Sequence, residues 1–215
     1  MQRRTLDVLL SAGGVLLAGL LLIIGFVLTS NANFAKTYVA DQLGQQKITF
    51  KTADTLTAEE KKADCLVTYA GKALTTGKQA ECYANEFIAL HVKAIAGGKT
   101  YAELGTPQTA LTTQVTAAKA SNDPNLANLQ KQLADVTAQR ETVFKGETLR
   151  GLLLTSYGFS EMGTKAAQGA TVTYLGAGLL LLLSLAGLVH AFVTPKSRGF
   201  AVPEAAKPTK VPAHA

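Results

Sequence analysis

Cys65 and Cys82 are the only cysteines of the chain, and the chemistry open to them is disulfide formation. Cys65 lies six residues before Gly71, and Cys82 lies five residues after Gly77, so an antiparallel helical hairpin would bring the two thiols level. Two thiols without nearby partner ligands cannot complete a tetrahedral zinc site. We therefore expect a Cys65–Cys82 disulfide in an oxidising compartment, with two unpaired buried thiols as the alternative.

The remaining residues of catalytic type are scattered. His91 falls on a predicted helix, whereas His190 and His214 lie in or beyond a distant apolar run, so the three imidazoles cannot form one site. Glu86 and His91 are five residues apart and diverge by about 140° around a helix. The sequence contains no HExxH, CxxC, phosphate-loop or GxSxG motif. We therefore predict no catalytic residue, no metal site and no cofactor.

Two apolar runs decide where these residues would lie. Val8 to Leu28 and Tyr174 to Val193 comprise 21 and 20 residues, and at ~1.5 Å per residue each reaches ~30 Å, the thickness of the hydrocarbon core of a bilayer. The predicted fold is mainly α, with transmembrane helices at 6–30 and 170–194. They bracket a helical domain at 31–169.

Cations flank both runs and indicate the orientation. Arg3 and Arg4 precede the first run, and Lys196 and Arg198 follow the second, so the positive-inside rule places both termini in the cytoplasm. Residues 1–5 form the cytoplasmic N-terminus in this interpretation, and 195–215 form a disordered, basic cytoplasmic tail rich in proline. The reversed orientation is the alternative.

The first run has a second interpretation, as a cleaved signal peptide. Ser30, Asn31 and Ala32 form a tolerable cleavage site. The run has 21 residues, whereas the apolar core of a signal peptide has ~7–15, so we favour an uncleaved anchor.

The intervening segment has several helix signals. A capping box at Thr57 to Glu60 predicts a helix to about Ala70, a second helix should span 78–96, and another capping box at Thr100 to Glu103 predicts a short helix ending near Gly105. A further helix should follow at 107–120. Phe34 to Leu43 should prolong the first membrane helix, and Lys47 to Phe50 alternates like a short strand without an identifiable partner.

Two apolar features are candidates for a partner surface. The helix predicted after Asp123 has a stripe at alternating three- and four-residue spacing, with Arg140 as one polar position. The stretch GETLRGLLLTSYGF at 146–159 is too short to span a membrane and suits a buried core helix or an interfacial segment. The stripe could pack within the chain or against another molecule. The candidate partner surface comprises Leu126, Leu129, Leu133, Val136, Leu149, Leu152, Leu153, Tyr157 and Phe159.

Small residues four apart could let the membrane helices pair. Gly14 and Ala18 lie on the first helix, and Gly169, Thr173 and Ala177 lie along one face of the second helix, beginning just before its apolar run. His190 lies close to the predicted cytoplasmic boundary, where a solvated interfacial imidazole is the expected state.

Two stretches carry a family resemblance. YVADQLGQQKITF at 38–50 and GETLRGLLLTSYGF at 146–159, together with the paired Cys65 and Cys82, resemble a group of uncharacterised two-pass membrane proteins from high-GC Gram-positive bacteria, the actinobacteria. The resemblance implies a location in the bacterial plasma membrane. It implies no activity and no catalytic residues.

The functional expectation is a non-enzymatic integral membrane protein. Its extracytoplasmic helical domain should bind another membrane or envelope protein as an accessory subunit or scaffold, with a homo-oligomer also possible. The alternative is an extracytoplasmic ligand-binding sensor that signals through a partner protein. Residues 31–169 carry 15 cations and 13 anions, a near balance without clusters that argues against a nucleic-acid partner. An enzyme of unrecognised type is the third interpretation.

Overall fold

The structure is a computed structural model that describes residues 3–193, and it is mainly helical. Its α-helices in chain order are α1, Arg3–Gln45; α2, Asp64–Thr68; α3, Gly77–Cys82; α4, Ala89–Ile95; α5, Gly105–Ser121; and α6, Leu126–Val193. A 3-10 helix, Glu60–Lys62, precedes α2, and a π-helix, Tyr83–Ile88, joins α3 to α4. By its internal contacts the chain divides into one unit of residues 1–29 and 167–215 and a second unit of residues 30–166.

In the first unit, the ends of α1 and α6 pack together through small residues. A Cβ atom at Gly14 would overlap the Ser184 hydroxyl, and one at Gly25 would stand 2.8 Å from Thr173 Oγ1. Ala18 and Ala177 are completely buried. Close approach through small side chains is how helices associate in lipid, so the predicted pairing of these faces is confirmed.

The buried small residues of this seam recur every seven positions on both helices. They are Ser11, Ala18 and Gly25 on α1, and Ala170, Ala177, Ser184 and Ala191 on α6. The large apolar side chains of the same segments point outward instead; Leu16 and Leu175 are both 71% exposed. Both helices are long and apolar enough to cross a membrane.

The second unit has a compact apolar core. It combines the C-terminal part of α1, the middle of α6 and the short helices between them. Its most enclosed large side chains are Leu66, Leu74, Leu104, Val143 and Leu153. Phe34 to Leu43 continues α1, as predicted, because the helix runs unbroken to Gln45 and ends where Lys47 adopts a positive φ of 53°.

The short strand predicted at Lys47 to Phe50 does not form, and the segment makes a single bridge instead. Thr49 and Ala73 form an isolated antiparallel bridge, with Leu74 N donating to the carbonyl of Ile48 at 2.9 Å. Ala73 lies after α2, 24 positions beyond Thr49, so no short-range sequence pattern could identify it as the partner.

Both predicted capping boxes form their hydrogen bonds, but the helices that follow them differ from the predicted ones. Thr57 N donates to Glu60 Oε2 at 2.7 Å, yet only the 3-10 helix follows, because Ala63 is extended and interrupts the predicted helix before α2. Thr100 N likewise donates to a Glu103 carboxylate oxygen at 2.7 Å, but residues 101–104 form turns and α5 begins at Gly105. The prediction of a short helix at this position was wrong.

The apolar stretch at 146–159 is part of a much longer helix than the sequence predicts. We expected a buried core helix or an interfacial segment, but the stretch lies inside the 68-residue helix α6. The chain has no proline between Pro124 and Pro195, so nothing in the covalent structure obliges the helix to end. The stretch therefore presents one side to the core and leaves another side open.

Some predictions fall outside the described residues. Lys196 and Arg198 and the whole predicted tail at 195–215 lie there, as does His214. Arg4 is described in α1, where its guanidinium lies 5.8 Å from the centre of the Phe192 ring.

Candidate functional site

The cysteines are positioned by two short helices. Cys65 lies on α2 and Cys82 ends α3, and the structure joins them in a disulfide with a Cα–Cα distance of 6.0 Å. The start of α3 is held by a capping box that sequence reasoning missed, in which the Thr76 hydroxyl accepts from Gln79 N at 3.3 Å. Cys82 is buried in the core, so the link fixes α2 against α3 from inside.

Glu60 is a buried carboxylate with a dense set of donors. Lys51 Nζ donates to it at 2.8 Å and Thr57 N at 2.7 Å, and His91 Nε2 lies 3.4 Å away. Burial by itself would raise the pKa of Glu60, but the hydrogen bonds from Lys51 and Thr57 outweigh it and lower the pKa to about 2. The Glu60 carboxylate stays ionised because Lys51 and Thr57 donate hydrogen bonds to it. Its role is therefore structural: it connects α4 to the segment before α2.

His91 illustrates what sequence reasoning could not reach. The sequence predicts that His91 and Glu86 do not share a helix face. In the structure His91 faces Glu60 instead, which is 31 positions earlier in the chain. Its Nδ1 lies 2.7 Å from the carbonyl oxygen of Phe87. No group of three potential metal ligands occurs in the part of the chain that the structure describes.

Lys78 fastens the disulfide-linked helices to α6. Its Nζ donates to the Tyr157 hydroxyl at 3.2 Å and lies 3.4 Å from Glu161 and 3.3 Å from Glu81. The hydrogen bond with Tyr157, supported by the two carboxylates, raises the pKa of Lys78. Next to it, a Cβ at Gly77 would overlap Ser160. Tyr157, a candidate partner residue, is therefore used inside the unit.

The predicted stripe is also used internally. Leu126, Leu129, Leu133 and Val136 are all half-buried, and α5 lies alongside α6 at this point. Gln108 of α5 donates to Thr137 at 3.0 Å and accepts from Arg140 at 2.6 Å. The stripe thus packs within the chain, which was one of the two alternatives, and its polar position has a specific partner.

An open apolar groove runs along the other side of the second unit, between α1 and α6. It has a volume of about 390 Å³. We call it the α1–α6 groove. One side is lined by Tyr38, Val39, Gln42 and Leu43 of α1 and by Gln46 just after it, and the other side by Leu149, Leu152, Leu153, Thr155, Ser156 and Phe159 of α6. Every one of these described lining residues is uncharged.

Four of the candidate partner residues meet in this groove. Leu153 is only 2% exposed and forms its floor, whereas Leu149 is 38% and Leu152 is 63% exposed. Phe159 closes one end, with its ring centre 5.7 Å from that of Tyr38 and 6.3 Å from that of Phe34. Phe34, 61% exposed, and Tyr38 were not among the predicted surface residues. The sequence places them on the extension of the first helix, but only the packing of α6 shows which side of that extension is open.

A polar pair lies in the first unit. Asp7 Oδ2 and His190 Nδ1 are 2.9 Å apart and join α1 to α6. The side chain of His190 is 67% exposed, whereas that of Asp7 is 24% exposed. The expectation of a merely solvated imidazole is thus incomplete, because the ring has a carboxylate partner that the sequence analysis did not assign to it.

Comparisons with known proteins add no family to this geometry. The chain matches no protein-family model, no curated protein and no solved structure.

Proposed function

We propose that this chain is a non-enzymatic integral membrane protein that contacts protein partners through the α1–α6 groove, as an accessory subunit or scaffold of a membrane or envelope complex. Both termini lie in the cytoplasm, and residues 31–169 lie outside the bacterial plasma membrane. The family resemblance to two-pass actinobacterial membrane proteins is part of the same proposal.

The first unit supports membrane anchoring. Two helices with outward-facing large apolar side chains and an inward seam of small residues suit a lipid environment, where water cannot drive helix association. The cations before the first run and after the second favour cytoplasmic termini. A disulfide in the second unit suits the oxidising side of the membrane.

The observation that carries the interaction role is the exposure of Leu149 and Leu152 in an uncharged groove. Fully burying an exposed leucine side chain contributes about 1.5–3 kcal/mol. Leu149 is 38% and Leu152 is 63% exposed, so covering what remains exposed contributes a part of that value for each and favours a complex. The groove runs between two helices, and helix-in-groove docking is a common way for such a surface to bind a partner.

The alternative is a ligand-binding sensor. At about 390 Å³ the groove falls within the ~300–1,000 Å³ of small-molecule sites. An uncharged, apolar ligand would suit it. Melting of the purified full chain across a panel of apolar metabolites separates the two roles, since only a sensor gains thermal stability from a small molecule.

The test of the interaction role is extraction of the tagged full chain from native membranes in mild detergent, followed by chemical crosslinking and mass spectrometry. A stoichiometric membrane or envelope protein should be recovered, and Leu152→Glu should remove it. Val67→Glu is the matched control, because Val67 is 47% exposed on α2 and does not line the groove. Recovery of the chain without any crosslinked protein would overturn the proposal.

A further inference from the structure

A polar cleft opens between the 3-10 helix and the segment that joins α3 to α4. It has a volume of about 290 Å³, and it shares no lining residue with the α1–α6 groove. One wall belongs to the π-helix Tyr83–Ile88 and to α4, and the other wall carries Glu59 and Lys62. We call it the π-helix cleft. Short stretches of π-helix occur frequently at functional sites.

Two opposite charges in this cleft are not used by the fold. Glu86 and Lys93 line the same wall and are exposed, and neither side chain makes an ion pair or a hydrogen bond with a residue in the described range 3–193. On the opposite wall, by contrast, Lys62 and Glu59 pair with each other at 2.6 Å. The cleft therefore presents one carboxylate and one ammonium group that a ligand can contact.

A third polar group of the cleft is held in place from α6. Arg150 Nη2 donates to Asn85 Oδ1 at 3.3 Å, and Arg150 Nη1 donates to Glu147 Oε2 at 3.1 Å. The Nε atom of the same guanidinium is buried and makes no hydrogen bond within the described residues, which is costly for a donor. Because Arg150 occupies the oxygen of the Asn85 amide, the Nδ2 donor of this lining residue is left for a ligand.

We propose that the π-helix cleft binds a small zwitterion, an α-amino acid with an aliphatic side chain. Lys93 and Asn85 Nδ2 donate to the ligand carboxylate, and Glu86 accepts from the ligand ammonium group, in hydrogen bonds of the strong, charge-assisted kind. Half-buried Ala89 and Leu90 lie between these groups in sequence and suit the aliphatic side chain. An anion alone would be repelled by Glu86 and a cation alone by Lys93, so a ligand with both charges fits this wall best.

This inference goes beyond the proposed function. The volume of the cleft lies near the lower limit of the ~300–1,000 Å³ of small-molecule sites, which suits a single amino acid better than a protein segment. It gives the sensor alternative a ligand of a different class from the uncharged one that suits the α1–α6 groove. The two proposals fail separately, because Leu152→Glu in the groove should leave binding to the cleft unchanged.

The experiment is isothermal titration calorimetry of the purified full chain in detergent with L-leucine, leucinamide and N-acetyl-L-leucine. L-Leucine should bind saturably. Leucinamide lacks the carboxylate and N-acetyl-L-leucine lacks the ammonium group, so each should bind about ten-fold more weakly or worse, as the loss of a hydrogen bond between charged groups implies. Absence of L-leucine binding would overturn the proposal, and so would equally tight binding of either capped compound.

Substitutions show whether the ligand occupies the predicted wall. Glu86→Gln and Lys93→Gln should each weaken L-leucine binding by about ten-fold or more and leave the melting temperature unchanged, because both side chains are exposed. Lys119→Gln is the matched control, since Lys119 is exposed on α5 outside the cleft and should bind like wild type. L-Leucine binding that is unaffected by both cleft substitutions would place the ligand elsewhere and refute the site.

Discussion

Gly163 of α6 faces Ala35 of α1 at a distance that only glycine permits. A Cβ at position 163 would stand 2.7 Å from the Ala35 Cβ and 3.5 Å from the carbonyl oxygen of Ala32. Neither neighbour is the movable end of a long side chain, so the two helices would have to separate. This contact sets how closely α1 and α6 approach beside the α1–α6 groove.

Gly163→Ala should therefore destabilise the protein, by about 1–3 kcal/mol, the usual cost of overpacking. Denaturant unfolding of the full chain in detergent, followed by circular dichroism, measures it. Gly44→Ala is the matched control, because a Cβ at Gly44 meets nothing within 4 Å. Equal stability of the two variants would contradict the packing that the structure shows.

Replacing both cysteines by serine should reduce the free energy of unfolding. The bond closes a loop of 17 residues, which is worth on the order of 3 kcal/mol in the chain-entropy model. The same denaturant experiment measures the loss. Before that, alkylation of the denatured wild-type chain without reductant should leave its intact mass unchanged, and the addition of two alkyl groups would refute the disulfide.

The stability of the second unit should decline in acid because of Glu60. Its pKa is about 2 when folded and 4.5 in the unfolded reference, so the unfolded state binds the proton more tightly. The contribution of this carboxylate is complete above pH 4.5 and is lost as the pH falls toward 2.

Glu60→Gln tests this pH dependence directly. The substitution should lower stability at pH 7, where it removes the charged acceptor of Lys51, and should flatten the slope between pH 4.5 and 2. Melting temperatures at a series of pH values measure both effects. Glu59→Gln is the control, because Glu59 lies next to Glu60 but is exposed. Parallel curves for wild type and Glu60→Gln would show that another group is responsible.

Arg140→Lys should loosen α5 from α6. The Arg140 guanidinium lies 4.1 Å from the centre of the Tyr101 ring and donates to Gln108 Oε1 at 2.6 Å and to the Tyr101 carbonyl at 3.3 Å. A lysine ammonium cannot reproduce this planar set of contacts, and we expect a loss of about 1 kcal/mol, typical of hydrogen bonds and cation–π pairs of this kind. Faster hydrogen exchange in α5 than in wild type is the readout, and unchanged exchange would contradict it.

Local patterns predicted much of the candidate site. The cysteine pair, the capping bonds of Thr57 and Glu60 and the outward extension of α1 each depend on residue type and short-range spacing, so they are readable without a fold. The apolar character of 146–159 was also evident, and Leu149, Leu152, Leu153 and Phe159 do line the α1–α6 groove.

The sequence by itself determined the two apolar runs of membrane-spanning length and the mainly helical content, because a 3.6-residue period and uninterrupted apolar runs are local properties. Only the tertiary structure decided which side of each helix is covered. Tyr157 accepts a hydrogen bond from Lys78, and Leu153 is buried in the core. Leu152, one position from Leu153, remains exposed and lines the groove together with Tyr38. Adjacent residues on a helix point about 100° apart, so their fates depend on where distant segments pack, which no short-range pattern records.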